Sequence, residues 1–238
     1  MSKTASFPRI VDYWIGGPQN TPVDQAEGDA LASTYPTAPT LLKAQRAFQQ
    51  QAVGALAEEG IAQFLVFNAG FPTANHVHEQ LEEVKVYYTD SDFDVVQPGA
   101  GLLAGVRRRV RYQTLDPRDL ENLEDLELSP VLNTEAPIGV VFIGAGETFS
   151  DDDLKLVLGN LATWAKPGSA IVFTHATSEA SGLSALFEAH GKPFATRDAS
   201  ALEPLLAGFG IEAGGLSPLK DETGAELNYI VGAVGRKA

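Results

Sequence analysis

The chain has 238 residues, 44% of them hydrophobic, and a formal net charge of −14. That supplies one large α/β core but little of the Lys and Arg that nucleic-acid binding requires, and the absence of cysteine excludes disulfides, thiolate metal sites and a cysteine nucleophile. No run of about 18 apolar residues occurs and the N-terminus lacks a charged-then-apolar leader pattern, so the expectation is a cytoplasmic protein without a membrane partner.

Residues 1–36 are rich in Gly, Pro, Asn and Asp and read as irregular, yet they carry Phe7, Tyr13, Trp14 and Tyr35. Disordered tails seldom hold so many aromatics. The segment is therefore expected to pack as a lid on a main domain of residues 37–238. A helix is predicted from about Pro39 to Glu59, with Leu41, Leu42, Phe48, Ala52, Val53 and Leu56 on one face and Gly60 as its stop. Gln63 to Asn68 then reads as a strand covered on both faces, because Phe64 to Phe67 is a continuous apolar run.

Lys85 to Thr89 is the second strand. The 14 residues between Asp92 and Arg107 hold Pro98 and three glycines, which predicts a short helical turn or an extended loop rather than a full crossover helix. Further strands are predicted near Arg109–Thr114, Ile138–Gly144 and Ser169–His175. Between the last two, Ser150 and Asp153 set up a capping box for a helix buried through Leu154, Val157, Leu158, Leu161 and Trp164. Two short helices (180–190 and 199–207) precede a final strand pair turning at Glu222–Gly224. The sum is an open, mainly parallel sheet ending in a hairpin. The basic cluster Arg107, Arg108, Arg109 and Arg111 reads as a strand edge or a local ion-pair site.

The segment QFLVFNAGFPTANHVHE (63–79) followed by KVYYTDSD (85–92) outlines a βαβ unit. Backbone N–H groups open toward a ligand after its first strand, and an acid after its second can grip a ribose. Asp90 is that acid, with Ser91 and Asp92 beside it. A full G-x-G-x-x-G is absent, so the glycines are too few for a pyrophosphate. His76 and His78 are two apart and do not share a helix face, so no metal site is expected. Neither a G-x-S-x-G elbow nor a P-loop lysine pattern is present.

FPRIVDYWIGGPQN with Asp24, YP at 35–36 and QRAF at 45–48 resembles the opening of a bacterial family of S-adenosylmethionine-dependent methyltransferases. The similarity continues in order through GFPTANHVHE, YTDSD, LDPRDL, FSDDD, KPGSAIVFTHATSE, Arg197 and the terminal VGAVGRK. It implies a Rossmann-like class I methyltransferase with seven strands and S-adenosylmethionine as cofactor, and the acidic surface and modest size fit a small-molecule O or N acceptor better than RNA or DNA. It also implies cofactor contacts from Asn68 and Gly70 after the first strand, Gly144 after the fourth, and Asp90 on the ribose. Asp116 would meet the adenine amine or, alternatively, open an ordinary turn. Arg46 either forks onto the cofactor carboxylate or forms a surface ion pair. Tyr13 and Trp14 cap the cofactor, line the acceptor pocket, or anchor the N-terminal segment.

Glu147 and His175, at the ends of the fourth and fifth strands, are the candidate catalytic groups. Glu147 would act as a base or meet the sulfonium charge, unless it only starts a helix; His175 would serve acceptor chemistry, unless it only packs. The chain departs from the family's D-I-G-x-G-x-PT-like motif, with Val66 in place of the acid and Asn68 in place of the first glycine. Two other functions compete: a non-catalytic member binding a nucleoside or only a protein partner, and a nicotinamide-dependent oxidoreductase. The sequence leaves the oligomeric state, a homodimer included, open.

Overall fold

The computed structural model describes residues 4–122, 131–211 and 214–238; Glu212 and Ala213, within the C-terminal stretch, lie outside them. In chain order the elements are α1 (Phe7–Trp14), α2 (Pro22–Thr34), α3 (Thr37–Glu58), β1 (Gln63–Phe67), α4 (Val77–Gln80) and β2 (Lys85–Asp90). Next come α5 (Phe93–Leu102), β3 (Val110–Thr114), β4 (Gly139–Phe142), α6 (Asp151–Trp164) and β5 (Ala170–Ala176). The chain ends with α7 (Ser184–Ala189), α8 (Ala199–Leu206), β6 (Ser217–Lys220) and β7 (Glu226–Arg236). One sheet has the order β3-β2-β1-β4-β5-β7-β6. Strands β1 to β5 are parallel, and β7 runs antiparallel to both β5 and β6. This is the expected α/β architecture with its C-terminal hairpin, turned at Gly224 with φ +86°.

Strand alternation divides the core. Leu65, Phe67, Val140, Phe142, Ile171 and Phe173 face one layer, which Leu154, Val157, Leu158 and Leu161 of α6 cover. Phe64, Val66, Val141 and Val172 face the other, beneath Ala52, Val53 and Leu56 of α3. Both faces are covered, as the continuous apolar runs required. A third cluster fixes α1 to the body through Phe7, Ile10 and Trp14 against Leu41, Leu183 and Leu186.

Two expectations need correction. Residues 7–34 are not irregular but form two helices. The signals were present: Pro8 sits in the first turn of α1, and Thr21 with Asp24 makes a capping box at the start of α2. The stretch after Asp92 is a ten-residue helix, α5, with Pro98 inside it. Asp92 caps it by accepting from the Asp94 N–H at 3.1 Å. Pro98, the sixth residue of α5, removes one intrahelical bond, and it is exposed. Gly99 is there for packing rather than as a breaker: a Cβ would lie 2.6 Å from the Tyr112 ring.

Candidate functional site

The sheet order reverses between β1 and β4, neighbours whose following loops diverge. Open α/β sheets take ligands at such a point. A cavity of about 180 Å³ lies there, walled by the two loops, by α1 and α3, and by the segment around Lys192–Phe194.

The loop after β1 forms its floor. Asn68 (φ +50°) and Gly70 (φ +64°) both adopt the left-handed conformation, which asparagine tolerates better than most residues. Asn68 Nδ2 donates to the Gly144 carbonyl at 2.7 Å, tying the two diverging loops together. Gly144 is itself left-handed, at φ +61°. The Gly70 N–H donates to Asp90 Oδ2 and the Asp92 N–H to Oδ1, each at 3.0 Å. Burial raises the Asp90 carboxyl above its ordinary range, although these two amides oppose the rise. A carboxylate with one bond on each oxygen retains lone pairs for further donors such as ribose hydroxyls.

Arg46 of α3 reaches the cavity from the roof, where its Nη1 is buried without a partner. Burial draws its pKa down to about 10, against the opposing influence of Tyr88, Glu79 and Asp12. At the far wall, a 3-10 turn (Gly146–Thr148) carries Glu147. Its Oε1 accepts from the Ala176 N–H at 3.0 Å, while Oε2 is buried and unpartnered. The Ala195 N–H donates to the Glu147 carbonyl at 2.7 Å, which seats Phe194 on the same wall. Phe194 stacks on Phe187 at 4.4 Å, and Phe7 meets Phe187 edge-on at 5.3 Å.

The structure thus brings Arg46, Asn68, Gly70, Asp90, Gly144 and Glu147 to one cavity. Tyr13, Ser91, Asp116 and His175 are not on its wall. Tyr13 donates to Asp29 at 3.0 Å and faces a separate groove outside α3. Trp14 is buried and donates to the Gly28 carbonyl, an anchoring role. Ser91 is exposed. Asp116 pairs with Arg118, whose guanidinium holds its carboxyl below the usual range. His175 is fully buried. Its Nε2 faces Arg197 Nη1 at 3.1 Å, a donor only, so Nδ1 carries the proton and donates to the Ala176 carbonyl at 2.8 Å. His175 and Arg197 therefore brace the Glu147 turn, with Arg197 also donating to the Gly146 and Phe149 carbonyls.

Sequence reasoning missed several lining groups. His76 caps α4, accepting from the Val77 N–H, and its other nitrogen donates to the Ala69 carbonyl at 3.1 Å. Burial, then the Arg46 charge, keeps it neutral. Its place just after the PT turn was the available signal. His78 instead meets the Tyr88 hydroxyl at 2.9 Å. Arg109 of the basic cluster donates to the His78 carbonyl at 2.9 Å, closing the C-terminal end of α4. Lys192 bridges to Asp92 at 3.1 Å beside the cavity, a long-range contact with no local signature. Among the described residues no acidic or histidine group is placed to hold a metal, and no helix is long and apolar enough to cross a membrane.

A proposed methyltransferase from Thermobifida fusca YX superposes with TM-score 0.83 at 22% identity, over 98% of this chain and 95% of that one. A DUF574 family protein from Streptomyces avermitilis MA-4680 superposes with TM-score 0.80 at 28% identity, over 99% and 98%. Magnesium protoporphyrin IX methyltransferase from Synechocystis PCC 6803, solved with bound S-adenosylhomocysteine, gives TM-score 0.51 at 13% identity, over 83% and 87%. No curated protein matches the chain. Residues 2–227 match the sequence profile described as S-adenosyl methyltransferase, and the chain belongs to that family.

Proposed function

We propose that the protein transfers a methyl group from S-adenosylmethionine to an oxygen or nitrogen of a small molecule. The observation that carries this reading is one cavity at the sheet's switch point with an acid at one end and an orphaned guanidinium nitrogen at its roof. The residues fit the cofactor. Asp90 has lone pairs left for the ribose hydroxyls, and the buried Arg46 Nη1 lacks the carboxylate that the methionine end brings. Asn68, in the position of the motif's first glycine, adopts the conformation that glycine would supply. When bound, S-adenosylmethionine supplies an electrophilic methyl group on sulfur.

The chain's own part is to hold two reactants collinear and exclude water. Phe7, Val11 and Leu41 provide the apolar roof. Residues 1–36 act as a lid that orders over the cofactor, a role supported by the aromatic packing of α1. The −14 charge favours a small acceptor over RNA or DNA. The DYW-x-GG resemblance supports a position in one bacterial branch of the family.

The test is calorimetric titration of ligand-free protein with S-adenosylmethionine and then S-adenosylhomocysteine. Micromolar affinity for both is expected. No heat at several temperatures, together with no thermal shift, would mean that the fold has abandoned the cofactor. Protection of residues 1–36 from proteolysis by S-adenosylhomocysteine is expected as well, and equal cleavage with and without it refutes the lid.

A further inference from the structure

The two orphaned polar atoms on the cavity wall do not answer one another. Arg46 and Glu147 form no ion pair or hydrogen bond, and the groups that act on the Arg46 charge are Tyr88, Glu79 and Asp12. Each needs its own partner. Glu147 is 3% exposed, and its Oε2 has no protein group to bind, a costly state for a carboxylate. A buried acceptor of this kind is tolerated when a ligand donor completes it.

The surroundings of Glu147 define that donor. The Ala195 amide on its carbonyl places Phe194 beside it, and Phe187 and Phe7 continue the aromatic surface. A neutral acceptor alone would be served by a neutral acceptor-binding side chain. A carboxylate in a cavity lined by Phe7, Phe187 and Phe194 suits a cation on an apolar body, since a buried charge is best matched by its opposite and the rings cover the apolar part.

We infer that the methyl acceptor is an apolar primary or secondary amine, held through its ammonium by Glu147 Oε2. This rests on the methyltransferase reading above. Glu147 then also takes the proton: the N–H bond of the ammonium breaks, its electron pair remains on nitrogen as the nucleophile, and Oε2 becomes the acid form until solvent removes the proton. Arg197 and His175, which brace the turn, are positioning residues for this group.

The experiment compares arylalkyl amines such as 2-phenylethylamine with their isosteric alcohols, by calorimetry at pH 7.5, with and without saturating S-adenosylhomocysteine. The expected result is that at least one amine binds tenfold or more tightly than its alcohol. Glu147→Gln, which keeps an oxygen for the Ala176 N–H, should erase that preference and leave S-adenosylhomocysteine affinity within about twofold. Equal binding of every amine and alcohol, or binding of neither, overturns the inference while S-adenosylhomocysteine binding would still uphold the methyltransferase reading. If Glu147→Gln instead weakens S-adenosylhomocysteine tenfold, the carboxylate serves the cofactor's own ammonium and the inference fails. The wild-type comparison needs no variant to fold.

Discussion

Thr73 Oγ1 donates a 2.6 Å hydrogen bond to Asp12 Oδ1, joining the first helix to the turn after β1. Asp12 is buried and also accepts from the Gln19 N–H at 2.6 Å and from Asn20 Nδ2. Gly17 completes the arrangement, because a Cβ there would overlap the Asp12 carboxylate. The DYW-x-GG segment and the G-x-PT turn are therefore one structural unit. Thr73→Val removes one donor and strands a buried acceptor. It should cost about 1–3 kcal/mol in denaturant unfolding and weaken S-adenosylhomocysteine, because the turn it releases carries Gly70. Unchanged values of both would mean that the two segments act independently.

Arg46 offers a prediction in which stability and binding move in opposite directions. Its Nη1 is a buried donor without an acceptor, so Arg46→Met should leave the ligand-free protein as stable or slightly more so. Loss of a charge-assisted bond of about 1.5–3 kcal/mol should weaken S-adenosylhomocysteine roughly ten- to a hundredfold. Thermal melts and calorimetry on the same variant decide it. A variant that melts early but binds normally would make Arg46 structural.

The glycines of α5 should respond to alanine with opposite signs. At Gly99 a Cβ meets Tyr112 Cε1 at 2.6 Å and Pro72 at 3.2 Å, whereas at Gly101 it meets nothing within 4 Å. Alanine gains about 0.5–1 kcal/mol in a helix, but overpacking costs about 1–3. Gly101→Ala should therefore stabilise and Gly99→Ala destabilise, read from urea midpoints. Equal shifts would show that the α5–β3 contact is looser than its geometry.

Asp24 fixes the acid limit of the N-terminal hairpin. Burial alone would raise its carboxyl, yet bonds from Arg9, from the Thr21 hydroxyl and from the Ser6 and Thr21 amides hold it far below the usual carboxylate range. The folded form thus binds its proton more weakly than the unfolded chain, whose pKa is about 3.9. Its stabilisation is present above that value and fades as pH falls from there toward the folded value. Trp14 emission in a Trp164→Phe background should report loosening of α1 below about pH 4. Asp24→Asn should be weaker at neutral pH by about 1.5–3 kcal/mol and show a smaller acid slope; an unchanged slope removes Asp24 from that role.

What was legible in the sequence follows from range. Strands such as Phe64–Phe67 and the buried stripe of α6 announce themselves because their apolar spacing is local. Asp90 and Asn68 were readable as candidates because one closes a strand and the other follows a strand at a turn where asparagine tolerates left-handed angles. α5 was misread because Gly99 looks like a helix breaker until Tyr112 is known to lie against it. Phe187, Phe194 and Lys192 were invisible as cavity residues, since only the tertiary fold brings them to the loops after β2 and β4. His175 and Asp116 sit at strand ends as expected, but their side chains are committed to Ala176, Arg197 and Arg118.

The roof of the cavity also sets an order of assembly. Phe7 of α1 packs on Phe187 and stacks on His190 at 4.3 Å, residues that leave the ribosome long after it. During synthesis α1 can already pack through Ile10 and Trp14 on Leu41 of α3, whereas its contact with Phe187 closes a long loop, which is slow relative to local contacts. Completion of the aromatic wall is then a later event than the docking of α1 on α3. A nascent chain held before Phe187 would have the roof of Phe7, Val11 and Leu41 but not the wall that Phe187, Lys192 and Phe194 supply, leaving Phe7 partly uncovered and open to chaperone capture.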